Sequence, residues 1–162
     1  MKIKNCKLKI ARSGGFTLLE ILIVIAIFAL VAVFGVSPLL LFKKTSDLNG
    51  ALETGVSFLL EARAKTLSSK NEARYGVHFD NGGTTFFTGA VFAEGAVGNE
   101  GAPLPFSVEI ASISLQGGGN DVVFNRLTGE TNAYGTVIFR LKSDTTKTKT
   151  LRVEKTGIIS TE

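Results

Sequence analysis

Cysteine, histidine and proline are scarce in this chain. One cysteine in 162 residues excludes a disulfide framework within the chain and any multi-cysteine metal site. The single histidine leaves a zinc cluster almost wholly to carboxylates, a poor donor set for that ion, so no metal is expected. Charge is also sparse, at 20% of residues against 44% hydrophobic, and the mean hydropathy of +0.27 argues against a disordered chain. No Ser/His/Asp spacing and no paired-carboxylate motif stands out. Gly117-Gly118-Gly119 lacks the Lys-Ser/Thr that a phosphate-binding loop needs, so it reads as a turn. Neither an enzyme nor a cofactor is expected. The length suits one domain, or a small domain with an appendage.

What is present is unevenly placed. Residues 1–15 hold five bases (Lys2, Lys4, Lys7, Lys9, Arg12) and no acid, while the rest of the chain holds 13 bases against 14 acids. The net charge of +4 and the pI near 9.3 therefore belong to the amino terminus, and whole-chain basicity gives little support to nucleic-acid binding. From Ile21 to Phe42, 22 residues, there is no charge, and only Gly35, Ser37 and Pro38 interrupt the apolar run. As a helix that run is ~33 Å long, against a bilayer core of about 30 Å. The basic flank before it predicts a cytoplasmic start and a carboxyl-terminal bulk outside. A discarded signal peptide would have a shorter apolar core and an A-x-A-like site, and Ala26, Ala29 and Ala32 do not supply one. A lipoprotein would need its cysteine after the run, and Cys6 precedes it.

Glu20 stands at the head of this segment, where a plain anchor has no use for an acid. It can serve as a helix-start acid at headgroup level, favourable with the helix dipole. The residues around it add a second reading. Gly14-Gly15-Phe16-Thr17-Leu18-Leu19-Glu20, after a short basic leader and before a long apolar helix, resembles the cleavage site of type IV prepilins and type II secretion pseudopilins. The resemblance implies that a prepilin peptidase cuts between Gly15 and Phe16, removing leader 1–15, and N-methylates the new amine of Phe16. It implies that Glu20 offsets the amine of a neighbouring subunit during assembly. It also implies other pilins, an inner-membrane assembly platform and, before assembly, the lipid bilayer as partners. A lone carboxylate inside an apolar filament would be costly, and the α-amine, with an unperturbed pKa of about 7.7–8.0, gives it a partner.

Past the apolar segment (16–44), Leu48, Leu52, Val56, Leu59, Leu60 and Leu67 recur at steps of three and four. The pattern predicts one helix from Phe16 to Ser69, with an amphipathic outer part at 45–70. Pro38 is expected to kink it, since proline donates no backbone hydrogen bond and clashes with the carbonyl four residues back. The alternative is a break at Thr45–Asp47 with Ser46 or Asp47 as a cap. Gly50 and Gly55 weaken the helix but allow close approach to a sheet.

Residues 71–162 read as antiparallel β structure. Arg74–Phe79 puts Tyr75, Val77 and Phe79 on one face, Asp80-Asn81-Gly82-Gly83 is a hairpin turn, and Thr84–Thr88 returns. Ala93–Pro105 reads as a loop. Phe106–Leu115 is a strand whose alternation shifts near Ala111-Ser112, which predicts a bulge. Val122–Asn125, Thr136–Leu141 and Thr148–Glu154 follow, with a turn at Ser143–Lys147 and a last short strand within Gly157–Ser160. The fold class is α+β: a long helix leaning its outer half on an antiparallel sheet, or on two small sheets. His78 falls opposite the apolar face and is expected in solvent, while Phe86, Phe87 and Phe92 are expected in core or interface.

Leu60-Glu61-Ala62-Arg63 followed by Tyr75-Gly76-Val77 is similar to the GspH/FimT family of minor pseudopilins. Some FimT-like pilins bind DNA through basic residues near the carboxyl end, and Lys142, Lys147, Lys149, Arg152 and Lys155 fall there. Lysines also block edge pairing of strands, and DNA contact is not the expected role. These resemblances imply a non-catalytic prepilin-like subunit, a minor pilin or pseudopilin, of the cytoplasmic membrane and then of a pilus or pseudopilus. The alternative is a single-pass anchored β domain that binds a ligand outside the cell.

Overall fold

The computed structural model describes residues 14–162, apart from the side chains of residues 33–40 and 70. The bases of the leader, Cys6 included among its neighbours, lie outside the described residues. Helix α1 spans Leu18–Leu67, two residues shorter at each end than the periodicity predicts. Thr17 caps it, its Oγ1 accepting from the Glu20 amide at 3.2 Å. The backbone stays helical through Thr45–Asp47, so the alternative break is absent, and Thr45 Oγ1 donates to the Leu41 carbonyl at 3.1 Å. Pro38 lies in helical backbone, and its expected kink falls among residues whose side chains are outside the described set.

The chain forms two compact units, one ending at Leu40 and the other spanning Leu41–Glu162. In the first, helical residues from Leu18 to Val31 have no buried side chain. In the second, the outer part of α1 packs with eight antiparallel strands. These are β1 (Tyr75–Phe79), β2 (Gly83–Thr88), β3 (Glu100–Pro103), β4 (Val108–Leu115), β5 (Asp121–Val123), β6 (Gly135–Leu141), β7 (Asp144–Val153) and β8 (Ile159–Thr161). They make two four-stranded sheets, ordered β3-β2-β1-β5 and β4-β6-β7-β8.

Strand alternation decides which side chains fill the core. Tyr75, Val77 and Phe79 of β1, Val137, Phe139 and Leu141 of β6, and Leu151 and Val153 of β7 are all buried, as the period-two pattern predicts. Gly55 brings α1 close to both sheets. A side chain there would begin 3.3 Å from Leu151 and 3.6 Å from both Phe139 and Phe79. The helical stripe differs in detail. Leu48, Leu52 and Leu59 are buried, but Leu60 and Leu67 are exposed, and Ala51, Ala62 and Thr66 take the inner positions. Small side chains there let the helix sit nearer the sheets.

At its end, Ser69, Asn71 and Glu72 adopt left-handed φ of 49°, 54° and 53°, which turns the chain back along the helix. The Tyr75 amide then donates to Thr66 Oγ1 at 3.0 Å, while Thr66 Oγ1 donates to the Ala62 carbonyl at 2.7 Å.

Two expected loops contain strand. Glu100–Pro103, inside the expected loop 93–105, pairs with β2 as an edge strand, where the proline at its end needs no donor. The expected turn at Ser143–Lys147 is instead a jump in register within β7, from Arg140↔Thr148 to Leu141↔Asp144. The bulge in β4 falls between Ile110 and Ser112, where the alternation shifts parity.

Candidate functional site

Gly14 to Thr17 is non-helical and exposed, and α1 begins at Leu18. The Thr17 cap therefore keeps the Gly15–Phe16 bond out of helical structure. Among the described residues no heavy atom lies within 4 Å of a side chain built at Gly15.

Glu20 is exposed and occupies the third helical position after Thr17. Thr-x-x-Glu is a capping-box pattern, a signal that was open to view in the sequence, and its threonine half is formed by the Glu20 amide and Thr17 Oγ1. Among the described residues no cation stands within ion-pair distance of its carboxylate.

The helix that follows is apolar on every side. Ile21, Leu22, Ile23, Val24 and Ile25 are consecutive and 43–63% exposed, and Phe28 is 71% exposed. Five successive residues sweep more than a full turn, so among the described residues nothing shelters any face of this segment. Helices of this kind are buried in something else, protein or lipid. Among the described residues no helix is long and apolar enough to cross a membrane; the uncharged run of the sequence continues to Phe42, through residues whose side chains are not described.

Chemistry elsewhere is thin. His78 is not in solvent, contrary to expectation. Its Nδ1 lies 2.5 Å from Asp121 Oδ1, and its ring stacks on Phe92 with centroids 4.0 Å apart. The loop after β2 folds over the outer face of its own sheet, which strand alternation alone could not show. Phe86 packs on Tyr75 and Phe58 on the helix side, and Phe87 meets Phe92 on the other. Among the described residues no group of side chains could hold a metal ion.

The basic residues near the carboxyl end do not gather into one stripe. Lys149 shares the strand parity of buried Leu151 and Val153, whereas Arg152 has the opposite parity. Lys147 falls in the register jump. The amide of Lys142, in the β6–β7 turn, donates to the Ser107 carbonyl, while the Lys155 carbonyl accepts from Thr131 beyond the other end of β7.

Asp144 caps its own turn: Oδ1 accepts from Thr146 Oγ1 at 2.6 Å and from the Thr146 amide at 3.1 Å. The Thr146 hydroxyl, followed by that amide and the charge of Lys147, holds the Asp144 carboxyl below the usual carboxylate range.

Residues 10–36 match the family described as the prokaryotic N-terminal methylation motif. The structure is similar to the crystal structure of the type IV minor pilin FimU of Pseudomonas aeruginosa (strain PAO1). The TM-score is 0.50 at 19% sequence identity, over 71% of this chain and 92% of that one. No curated protein matches. The long helix on antiparallel sheets is thus a pilin fold. The methylation motif covers the head of that helix, from the residues before the Gly15–Phe16 bond to Val36.

Proposed function

We propose that the chain is a non-catalytic minor subunit of a type IV pilus or a type II secretion pseudopilus. A prepilin peptidase cuts between Gly15 and Phe16 and methylates the Phe16 amine. The retained apolar helix is held first by the cytoplasmic membrane, with the β domain outside, and then by the helices of neighbouring subunits. Glu20 pairs with the amine of a neighbour as the filament forms. The observation that carries this reading is the helix that begins at Leu18, apolar and exposed on all sides from Ile21 to Val31, shortly after an exposed, non-helical Gly15–Phe16 bond.

Intact-mass spectrometry of the membrane-extracted protein tests it. Loss of residues 1–15 with one added methyl supports the reading. An uncut amino terminus overturns it in favour of a permanently anchored β domain, and a product lacking the apolar helix overturns both.

A further inference from the structure

The domain carries an aromatic side chain that its fold does not use. Phe106, between β3 and β4, is 93% exposed, and the Lys142 ammonium lies 5.0 Å from its ring centroid. Its position is fixed by its neighbours. Ser107 Oγ donates to Asp47 Oδ2 at 2.7 Å, and the Lys142 amide donates to the Ser107 carbonyl at 3.0 Å. Phe106 and Lys142 are thereby pinned beside Asp47, six residues and ~9 Å along α1 from Leu41, where the chain enters this unit. Leu41 and Phe42 are exposed, and Lys43 and Lys44 follow them.

The charges at this end are not balanced locally. Asp47 accepts from Ser107, Glu109 pairs with Arg140 at 2.6 Å, and Asp144 accepts from Thr146. Among the described residues no carboxylate stands within ion-pair distance of Lys43, Lys44 or Lys142. Three cations and an exposed aromatic ring are therefore presented together, at the end of the domain where the uncharged run of the sequence arrives.

We infer that this end of the domain is a seat for an anionic lipid surface. Phe106 inserts among the headgroups while Lys142, Lys43 and Lys44 meet lipid phosphates. Apolar side chains flanked by lysines are the composition of interfacial anchors, and such lysines are attracted by anionic lipid. The inference rests on the membrane anchoring proposed above, and it sets where the domain stands before assembly: on the bilayer, not swinging above it. Extraction into a filament would then have to lift Phe106 out of the headgroup layer.

The chain contains no tryptophan, so a single indole reports its own surroundings. Full-length chains bearing Phe106→Trp or Leu127→Trp are reconstituted into phosphatidylglycerol-containing vesicles with lipids brominated near the headgroup. Leu127 is a fair reference: it is 82% exposed, and it belongs to the turn whose Gly129 carbonyl accepts from Arg63 at 3.3 Å, some ~24 Å along α1 from Asp47. Emission from position 106 is expected to be blue-shifted and quenched at least about two-fold more than from position 127. Adding Lys142→Glu, or using zwitterionic vesicles, is expected to reduce that difference several-fold. Co-flotation with equal quenching at the two positions overturns the seat alone. Failure to co-float overturns the anchoring and the seat together.

Discussion

His78 and Phe92 lie ring on ring, 4.0 Å between centroids and 6° from parallel. Phe92 also meets Phe87 edge-on at 5.5 Å. Asp121 fastens this cap from below, since Oδ1 takes the His78 bond and Oδ2 accepts from the Phe92 amide at 3.4 Å. A carboxylate only accepts, so Nδ1 of His78 carries the proton. Asp121→Ala is expected to cost about 1.5–3 kcal/mol, the range for a hydrogen bond to a charged group. It should also loosen the loop between β2 and β3. Urea unfolding of the detergent-solubilised chain reads the first effect. Faster proteolysis within residues 93–98 reads the second, and unchanged cleavage would show that Asp121 does not tether the loop.

The same cap explains Gly76. It pairs across the sheet with Phe87 on one side and Val123 on the other. A side chain there would begin 2.8 Å from the Phe87 ring and from the Val122 carbonyl, and 2.9 Å from Val123. Backbone oxygen cannot retreat as a side-chain tip can, so Gly76→Ala is expected to destabilise by about 1–3 kcal/mol. Phe87→Leu in the same chain should recover part of that loss in a thermal melt. No recovery would place the clash at the Val122 backbone instead.

Asp144 gives a pH dependence with a definite sign. Its folded carboxyl is held below its unfolded value, so its contribution is present above the ordinary carboxylate range and is lost as pH falls through the lower folded value. The group is fully exposed, so the effect is local. Amide exchange at Thr146 is expected to accelerate at acid pH in the native chain, and Asp144→Asn should flatten that acid step at Thr146. The global unfolding midpoint at neutral pH should stay the same in both.

The two periodicities made much of the fold legible. Alternation in Tyr75–Phe79 and Thr136–Leu141 named the buried faces, and the parity slip at Ala111-Ser112 named the bulge. What stayed hidden depends on contacts that leave no periodic trace. Phe92 sits in an irregular loop, so nothing in the alternation of β1 announced that His78 would be covered. Glu100–Pro103 reads as loop because Gly101 and Pro103 have low strand propensity, yet an edge strand tolerates both. Leu60 continued the leucine pattern onto the surface, because one residue beyond Leu59 turns ~100° away from the core. At the candidate site the Gly15–Phe16 bond and Glu20 were both visible in the sequence. The Thr17 cap that separates that bond from the helix was written there too, as Thr-x-x-Glu.

That cap complicates any test of Glu20 by alanine alone. Glu20→Ala removes both the charge and the acid at the third position of the Thr-x-x-Glu pattern, so poor assembly could follow from a frayed helix start. Glu20→Gln separates the two, since glutamine serves the same third position without charge. If the proposed pairing with a neighbour's Phe16 amine is the function, both variants are still cut after Gly15, and both are recovered in filaments several-fold less than the native chain. Helix content by circular dichroism should then be unchanged in Glu20→Gln. Native filament yield from Glu20→Gln beside a deficit in Glu20→Ala would assign the residue to capping and remove its charge from the assembly reaction.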